Sequence, residues 1–123
     1  MERDEERRRR GLEKMAEVYG WDFGDGPGDW FGLTAEHLFA DIWTREGLSL
    51  RDRRLLLIGM AVGGGHDDVA GLQVGASQRV GDLSPEALRE IVIFVSYYAG
   101  WPAGAKLNNH VEKALEPPKE HKA

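Results

Sequence analysis

Between Ile42 and Leu57 the chain ends one helix, turns tightly and starts another, and no other part of its 123 residues supplies a strand pattern to compete with that reading. Gly47 stops the first helix, since glycine enters the left-handed conformation of a helix end without a Cβ penalty. Ser49 offers the oxygen that caps the second, with Asp52 three residues on in place of the glutamate of a capping box. Leu55, Leu56, Leu57, Ile58, Met60, Ala61 and Val62 follow before Gly63, Gly64 and Gly65 end the run. A helix so apolar has to be covered on several sides. No stretch alternates with period two for long enough to form a strand, so the expected fold is all-α with about six helices and no internal repeat.

The remaining helices carry their own punctuation. Leu12, Met15, Ala16 and Tyr19 recur at helical spacing, with Gly20 as the stop. Thr34 is expected to cap a helix running to about Arg45. A helix over Asp67–Val80 has two acids at its positive end and Gly81 after it. Ser84 and Pro85 open the next, which contains Ile91 to Val95 and ends near Gly100. Trp101 and Pro102 open a last helix to about Leu115, stopped by Pro117 and Pro118. Residues 20–32 hold five glycines, one proline and the aromatics Trp21, Phe23, Trp30 and Phe31, which predicts a loop pinned by its rings. The organisation is therefore residues 1–33 as a helical arm and glycine/aromatic loop, 34–116 as the helical domain, and 117–123 as a polar tail.

Charge and composition narrow the function classes. Sixteen Lys and Arg against twenty-one Asp and Glu leave a net charge of −5, the wrong sign for a general nucleic-acid binder. The first ten residues carry five arginines and four acids, which predicts a solvated helical arm. The longest apolar run, Ile91 to Val95, is too short to span a bilayer, so no membrane partner is expected. No apolar segment follows the N-terminus, which points to the cytoplasm. With no cysteine, disulfides, thiolate metal sites and thiol peroxidase chemistry are excluded. Two largely apolar helices in a small domain predict a homo-oligomer.

Several residues are candidates for chemistry, each with a plainer structural role beside it. Gln73 is a polar residue within an apolar stripe of Val69, Leu72, Ala76 and Val80, and is either a satisfied core amide or a pocket hydrogen-bonding group. Arg45, Arg51, Arg53 and Arg54 could recognise carboxylates bidentately or pair with Asp41, Glu46 and Asp52 on the surface. Arg54 lies one turn before Ile58 and so points further inward than Arg51. His66, with Asp67 and Asp68, is either a helix-start cluster or an acid/base group. His37, His66, His110 and His121 do not space as metal ligands, so neither metal nor cofactor is expected. Tyr97, Tyr98 and Trp101 line a pocket or pack a core.

Four segments in order resemble the carboxymuconolactone decarboxylase family over roughly Leu38 to Leu115. They are Asp41-Ile42-Trp43-Thr44-Arg45-Glu46-Gly47-Leu48, Arg51-Asp52-Arg53-Arg54-Leu55, Gly81-Asp82-Leu83-Ser84-Pro85-Glu86 and Tyr98-Ala99-Gly100-Trp101-Pro102-Ala103. The resemblance implies an all-helical subunit assembling into trimers or hexamers. It also implies cofactor-free decarboxylation of a carboxylated lactone in aromatic degradation, and a second branch of thiol hydroperoxidases. Gln73 stands where the family places a histidine, and His66 and Val69 stand at the two thiol positions of the peroxidase branch. An amide does not titrate, so Gln73 can donate a hydrogen bond but cannot act as an acid. The arginines would hold carboxylates, Gln73 would stabilise the developing charge, and His66, Tyr97 or Tyr98 would protonate carbon. Two functions follow: a carboxy-lyase on a small organic acid or lactone, or a non-catalytic helical oligomer that binds a small ligand.

Overall fold

The computed structural model describes residues 4–117 and is built from helices. In chain order these are α1 Glu5–Tyr19, α2 Gly28–Leu33, a π-helix Thr34–Ile42, α3 Leu50–Gly63, α4 Asp67–Val80, α5 Pro85–Ala99 and α6 Trp101–Leu115. There is no strand among the described residues. Two compact units divide the chain, one ending at Leu55 and the other beginning at Leu56, within α3. The polar tail from Pro118 and the first three residues, Glu2 and Arg3 of the arm among them, lie outside the described residues.

In the first unit α1 packs along the π-helix. Asp4 caps α1 by accepting from the amides of Glu6 and Arg7 at 3.0 and 3.2 Å, and Gly20 ends it at φ 76°. Gly11 lies so close to the π-helix that a Cβ there would fall 1.8 Å from the carbonyl oxygen of Ala35. Met15, Val18, Ala35, Phe39, Ala40 and Trp43 are buried, with Phe39 and Trp43 stacked at 5.7 Å. Arg8 is docked rather than solvated. Its guanidinium pairs with the buried Glu36 at 3.0 Å and with Asp25 at 2.6 Å, and lies 5.7 Å from the Phe31 ring centroid. Burial of Glu36 demands such a partner, which the balanced charge of the arm did not reveal.

The cap expected at Thr34 is replaced by a continuous path. The helix begins earlier, at Gly28, and the Thr34 hydroxyl donates back to the carbonyl of Trp30 at 2.9 Å. The chain then widens into π geometry, closed by Trp43 N–H donating to Leu38 O five residues back at 3.0 Å. The buried pairs Ala35/Glu36 and Phe39/Ala40 recur every four residues, longer than the 3.6 of an α-helix. The loop is accordingly shorter than expected, and only part of its aromatic set is engaged: Tyr19 meets Phe23 edge-on at 5.1 Å and Phe23 lies 4.1 Å from Trp21, whereas Trp30, now in α2, is 80 % exposed.

In the second unit α6 packs against both α4 and α5. Gly104 permits the closest approach, since a Cβ there would strike the Ser96 side chain on α5. Leu88, Val92, Leu107 and Val111 are buried. Ser84 caps α5 by accepting from Ala87 N–H at 3.0 Å, with Pro85 in the first turn. The buried positions of α4 are Ala70, Gln73, Val74, Ala76 and Ser77, while Val69, Leu72 and Val80 are exposed. That face is rotated from the expected stripe: Ala70, Val74 and Ser77 are enclosed, while Val69, Leu72 and Val80 are not.

Candidate functional site

The first unit holds a solvent-open cleft of about 550 Å³ lined by Arg45, Glu46, Gly47, Leu48 and Arg53. Its size is that of a small-molecule site. The turn between the π-helix and α3 forms it. Ser49 accepts from Asp52 N–H at 3.0 Å and so starts α3, which places Arg53 in the second turn. From there Arg53 Nη1 donates to the carbonyls of Leu48 and of Trp43, the latter at 3.3 Å, and clasps the turn. Arg45 projects into the same cleft, and no carboxylate pairs with it among the described residues. Two guanidiniums against the single carboxylate of Glu46 leave the cleft cationic.

The other two arginines stand elsewhere. Arg51 is exposed and lies 3.9 Å from Asp52, a weak surface pair. Arg54 is 0 % exposed, and its Nη2 donates to Val18 O at 2.6 Å within the first unit. It points inward, as its position one turn before Ile58 implies.

In the second unit Gln73 is 1 % exposed and its polar atoms are satisfied. His66 is exposed at the start of α4. Tyr97, Tyr98 and Trp101 lie on the outer face of α5 and the start of α6, with Tyr98 83 % exposed and Tyr97 edge-on to Trp101 at 6.1 Å. They form no core of the single chain.

One constellation was not visible in the sequence. Asp67 Oδ2 lies 3.0 Å from His110 Nε2. An ionised carboxylate only accepts, so the imidazole nitrogen carries the hydrogen. The ring lies against Gly71, where a Cβ would come within 2.4 Å of Nδ1. The His110 hydrogen bond, with help from the nearby charge of Lys106, holds the Asp67 carboxyl below the usual carboxylate range. Asp67 and Lys106 also line a small cavity of about 120 Å³ with Val62, Gly65, Pro102 and Ala103. Asp67 and His110 are 43 residues apart, so spacing gave no sign of the pair. The available hint was that Pro102, Lys106 and His110 fall four apart on one face of α6. Among the described residues no group of three His, Asp or Glu converges to hold a metal, and no helix is long and apolar enough to cross a membrane.

The depressed carboxyl gives a pH test. Asp67 is held below its unfolded value of about 3.9, so its contribution to stability is full above that value. It is lost as pH falls through the lower folded value. Asp67→Asn is therefore expected to lower the urea midpoint at pH 7, and the gap to the parent should close progressively below pH 4. A gap that stays constant through the acid range would contradict it.

A model of the carboxymuconolactone decarboxylase family matches residues 28–113, the stretch from α2 into α6 that holds the cationic turn before α3 and the Gly81–Glu86 link before α5. The chain belongs to that family. A curated 4-carboxymuconolactone decarboxylase from Acinetobacter baylyi is 28 % identical over 121 residues, covering 92 % of this chain and 90 % of that protein. The carboxymuconolactone decarboxylase family match begins at Gly28, thirteen residues before Asp41, where the first segment that carried the resemblance starts, and so takes in α2 and the whole π-helix. This member of the carboxymuconolactone decarboxylase family has no cysteine, so thiol peroxidase chemistry is closed to it.

Proposed function

We propose that the chain is a cofactor-free carboxy-lyase acting on a small carboxylated lactone, assembled as a homotrimer or homohexamer in the cytoplasm. The observation that carries this reading is the cationic cleft of Arg45 and Arg53, in a chain whose relative is a 4-carboxymuconolactone decarboxylase. Arg45 is the cation available for a substrate carboxylate, and Arg53 keeps the turn in shape through its two carbonyl bonds. In the reaction the bond between ring carbon and carboxylate breaks and its electron pair passes into the lactone. Carbon dioxide leaves uncharged, and a proton takes its place on carbon. Because the lactone carbonyl receives the electron pair, the chemistry requires no separate electron sink. The acid is proposed among His66, Tyr97 and Tyr98, which are exposed.

Purified protein is expected to release carbon dioxide from 4-carboxymuconolactone. Arg45→Ala should lower kcat/KM by about 10- to 100-fold, matching a charge-assisted hydrogen bond worth about 1.5–3 kcal/mol. Arg51→Ala, at an exposed weak pair outside the cleft lining, should change it less than twofold. Unchanged turnover in Arg45→Ala would remove the cleft from the reaction.

A second reading, a non-catalytic helical oligomer that binds a small ligand, is favoured by the enclosure of Gln73, whose amide is already satisfied. Gln73→His separates the two. A rise in decarboxylation supports a retuned enzyme, and no turnover by either form supports the binding module.

Assembly is supported by the outer face of α5. Ile93, Phe94, Tyr97, Tyr98 and Trp101 are all more than half exposed in the single chain, as are Leu56 and Met60 on α3. An apolar surface of that extent is characteristic of an interface. Light scattering at micromolar concentration is expected to return a multiple of the 13.7 kDa chain mass. A monomer would refute the assembly.

A further inference from the structure

The arginine run Arg7–Arg10 of α1 divides three ways where the helix packs on the π-helix. Arg8 turns inward to Glu36 and Asp25, and Arg9 pairs with Glu6 and Glu13 along its own helix. Arg7 and Arg10, one turn apart, share a single carboxylate, that of Asp41 on the π-helix. Arg7 Nη2 lies 2.7 Å from Asp41 Oδ2, whereas Arg10 Nη2 comes only to 4.0 Å from Oδ1. His37, also on the π-helix, brings Nδ1 to 3.3 Å from the same Oδ2. All three side chains reach solvent. Two guanidiniums against one carboxylate leave an excess of positive charge at this point, in a chain whose net charge is −5.

We infer that Arg7, Arg10 and His37 form a surface seat for a phosphate group, free or carried on a small ester. A guanidinium offers a planar fork of N–H donors that matches phosphate oxygens two at a time. Asp41 engages Arg7 closely and Arg10 loosely, so it aligns the two forks and leaves most of their donors unused. Its own charge opposes an arriving anion, but the two guanidiniums outnumber it. The donors approach one point from two helices. A phosphate group presents three acceptor oxygens in a tetrahedral array and carries about −1.5 to −2 charge. A carboxylate presents two oxygens in one plane and a single charge, and fills such a seat less well. The seat lies wholly in the first unit and uses no residue of the arginine cleft. The inference therefore stands whether or not that cleft decarboxylates a lactone.

The test is an NMR titration of isotopically labelled full-length chain with sodium phosphate, glycerol phosphate and sodium acetate at neutral pH and constant ionic strength. The arginine Nε–H signals and the His37 ring are followed. Saturable shifts with a millimolar Kd are expected for phosphate, with acetate weaker by about fivefold or more. Equal binding of the two phosphates assigns the seat to the phosphate group alone, and tighter binding of glycerol phosphate assigns it to an ester. Arg10→Gln, which removes only a loose pair, should weaken phosphate by about tenfold. Arg9→Gln removes the same charge one residue away, from a guanidinium already taken up by Glu6 and Glu13, and should change binding by less than about twofold. Arg7→Gln should abolish saturable binding, and if that variant does not fold, the contrast between Arg9→Gln and Arg10→Gln still decides. Shifts that stay linear to high concentration, equal binding of acetate, or equal weakening in Arg9→Gln and Arg10→Gln would each overturn the inference.

Discussion

Arg54→Ala is expected to destabilise the chain by about 3–5 kcal/mol, from two sources that act together. The guanidinium is fully enclosed and donates to Val18 O at 2.6 Å, so truncation leaves a buried carbonyl without that donor. An unsatisfied buried acceptor costs about 1–3 kcal/mol, and the space left by a long side chain adds a cavity term of about 2 kcal/mol or more. Against a typical total of about 5–15 kcal/mol, this is enough to unfold a marginal domain. Arg54→Lys keeps the charge but not the planar fork of donors, and should recover only part of the loss. Chemical denaturation of the three proteins checks the order parent, lysine variant, alanine variant. A loss below about 1 kcal/mol for Arg54→Ala would mean that Arg54 does not hold α3 to the end of α1.

Gly11→Ala and Gly59→Ala are expected to change stability in opposite directions. In an exposed helix interior, alanine for glycine is favourable by about 0.4–1 kcal/mol. Gly59 lies within α3 with nothing within 4 Å of a Cβ position, so that gain should appear in full. Gly11 is also helical, but its Cβ would stand 1.8 Å from the Ala35 carbonyl oxygen and 2.5 Å from its carbon. The obstacle is the backbone of the π-helix, which cannot rotate away as a side chain would. α1 must shift, and Met15 and Val18 lose their packing with it. A net loss of about 3 kcal/mol or more is expected, at the upper end for an overpacked core. Thermal melts of the two variants provide the measurement, and a Gly11→Ala protein as stable as the parent would refute the close approach of α1 to the π-helix.

These two predictions concern residues of very different legibility. The inward aim of Arg54 followed from its place one turn before Ile58, yet its acceptor 36 residues earlier did not. Gly11 gave no local signal, since a glycine inside a helical pattern means nothing until the neighbouring backbone is known. The candidate site divides in the same way. Arg45 and Arg53 were named from residue type alone, but the clasp of Arg53 on Trp43 O and Leu48 O and the freedom of Arg45 depend on how one turn is folded. Tyr97, Tyr98 and Trp101 were ambiguous between core and pocket, and lie on the outside of the single chain.

What the sequence determined by itself is the content of its local signals. Ser49 and Ser84 cap α3 and α5 through oxygens three residues from the amides they accept from. Gly20 and Gly81 end α1 and α4 at φ 76° and 83°. Asp67–Val80 ends at such a marker, while its start after His66 has no side-chain cap. Each of these depends on bonds within one turn of helix, so the residues that decide it are adjacent in the chain. The tertiary structure alone decided the π-helix over Thr34–Ile42, where α1 and Arg8 demand a wider repeat than α-helical geometry provides. It also decided which face of α4 is buried, since Gln73 and Val74 are enclosed while Leu72 and Val80 are exposed, a choice that the apolar spacing of the helix does not make. The pairing of Asp67 with His110 belongs to the same class, since only the packing of α4 on α6 sets a carboxylate and an imidazole 43 residues apart at hydrogen-bond distance.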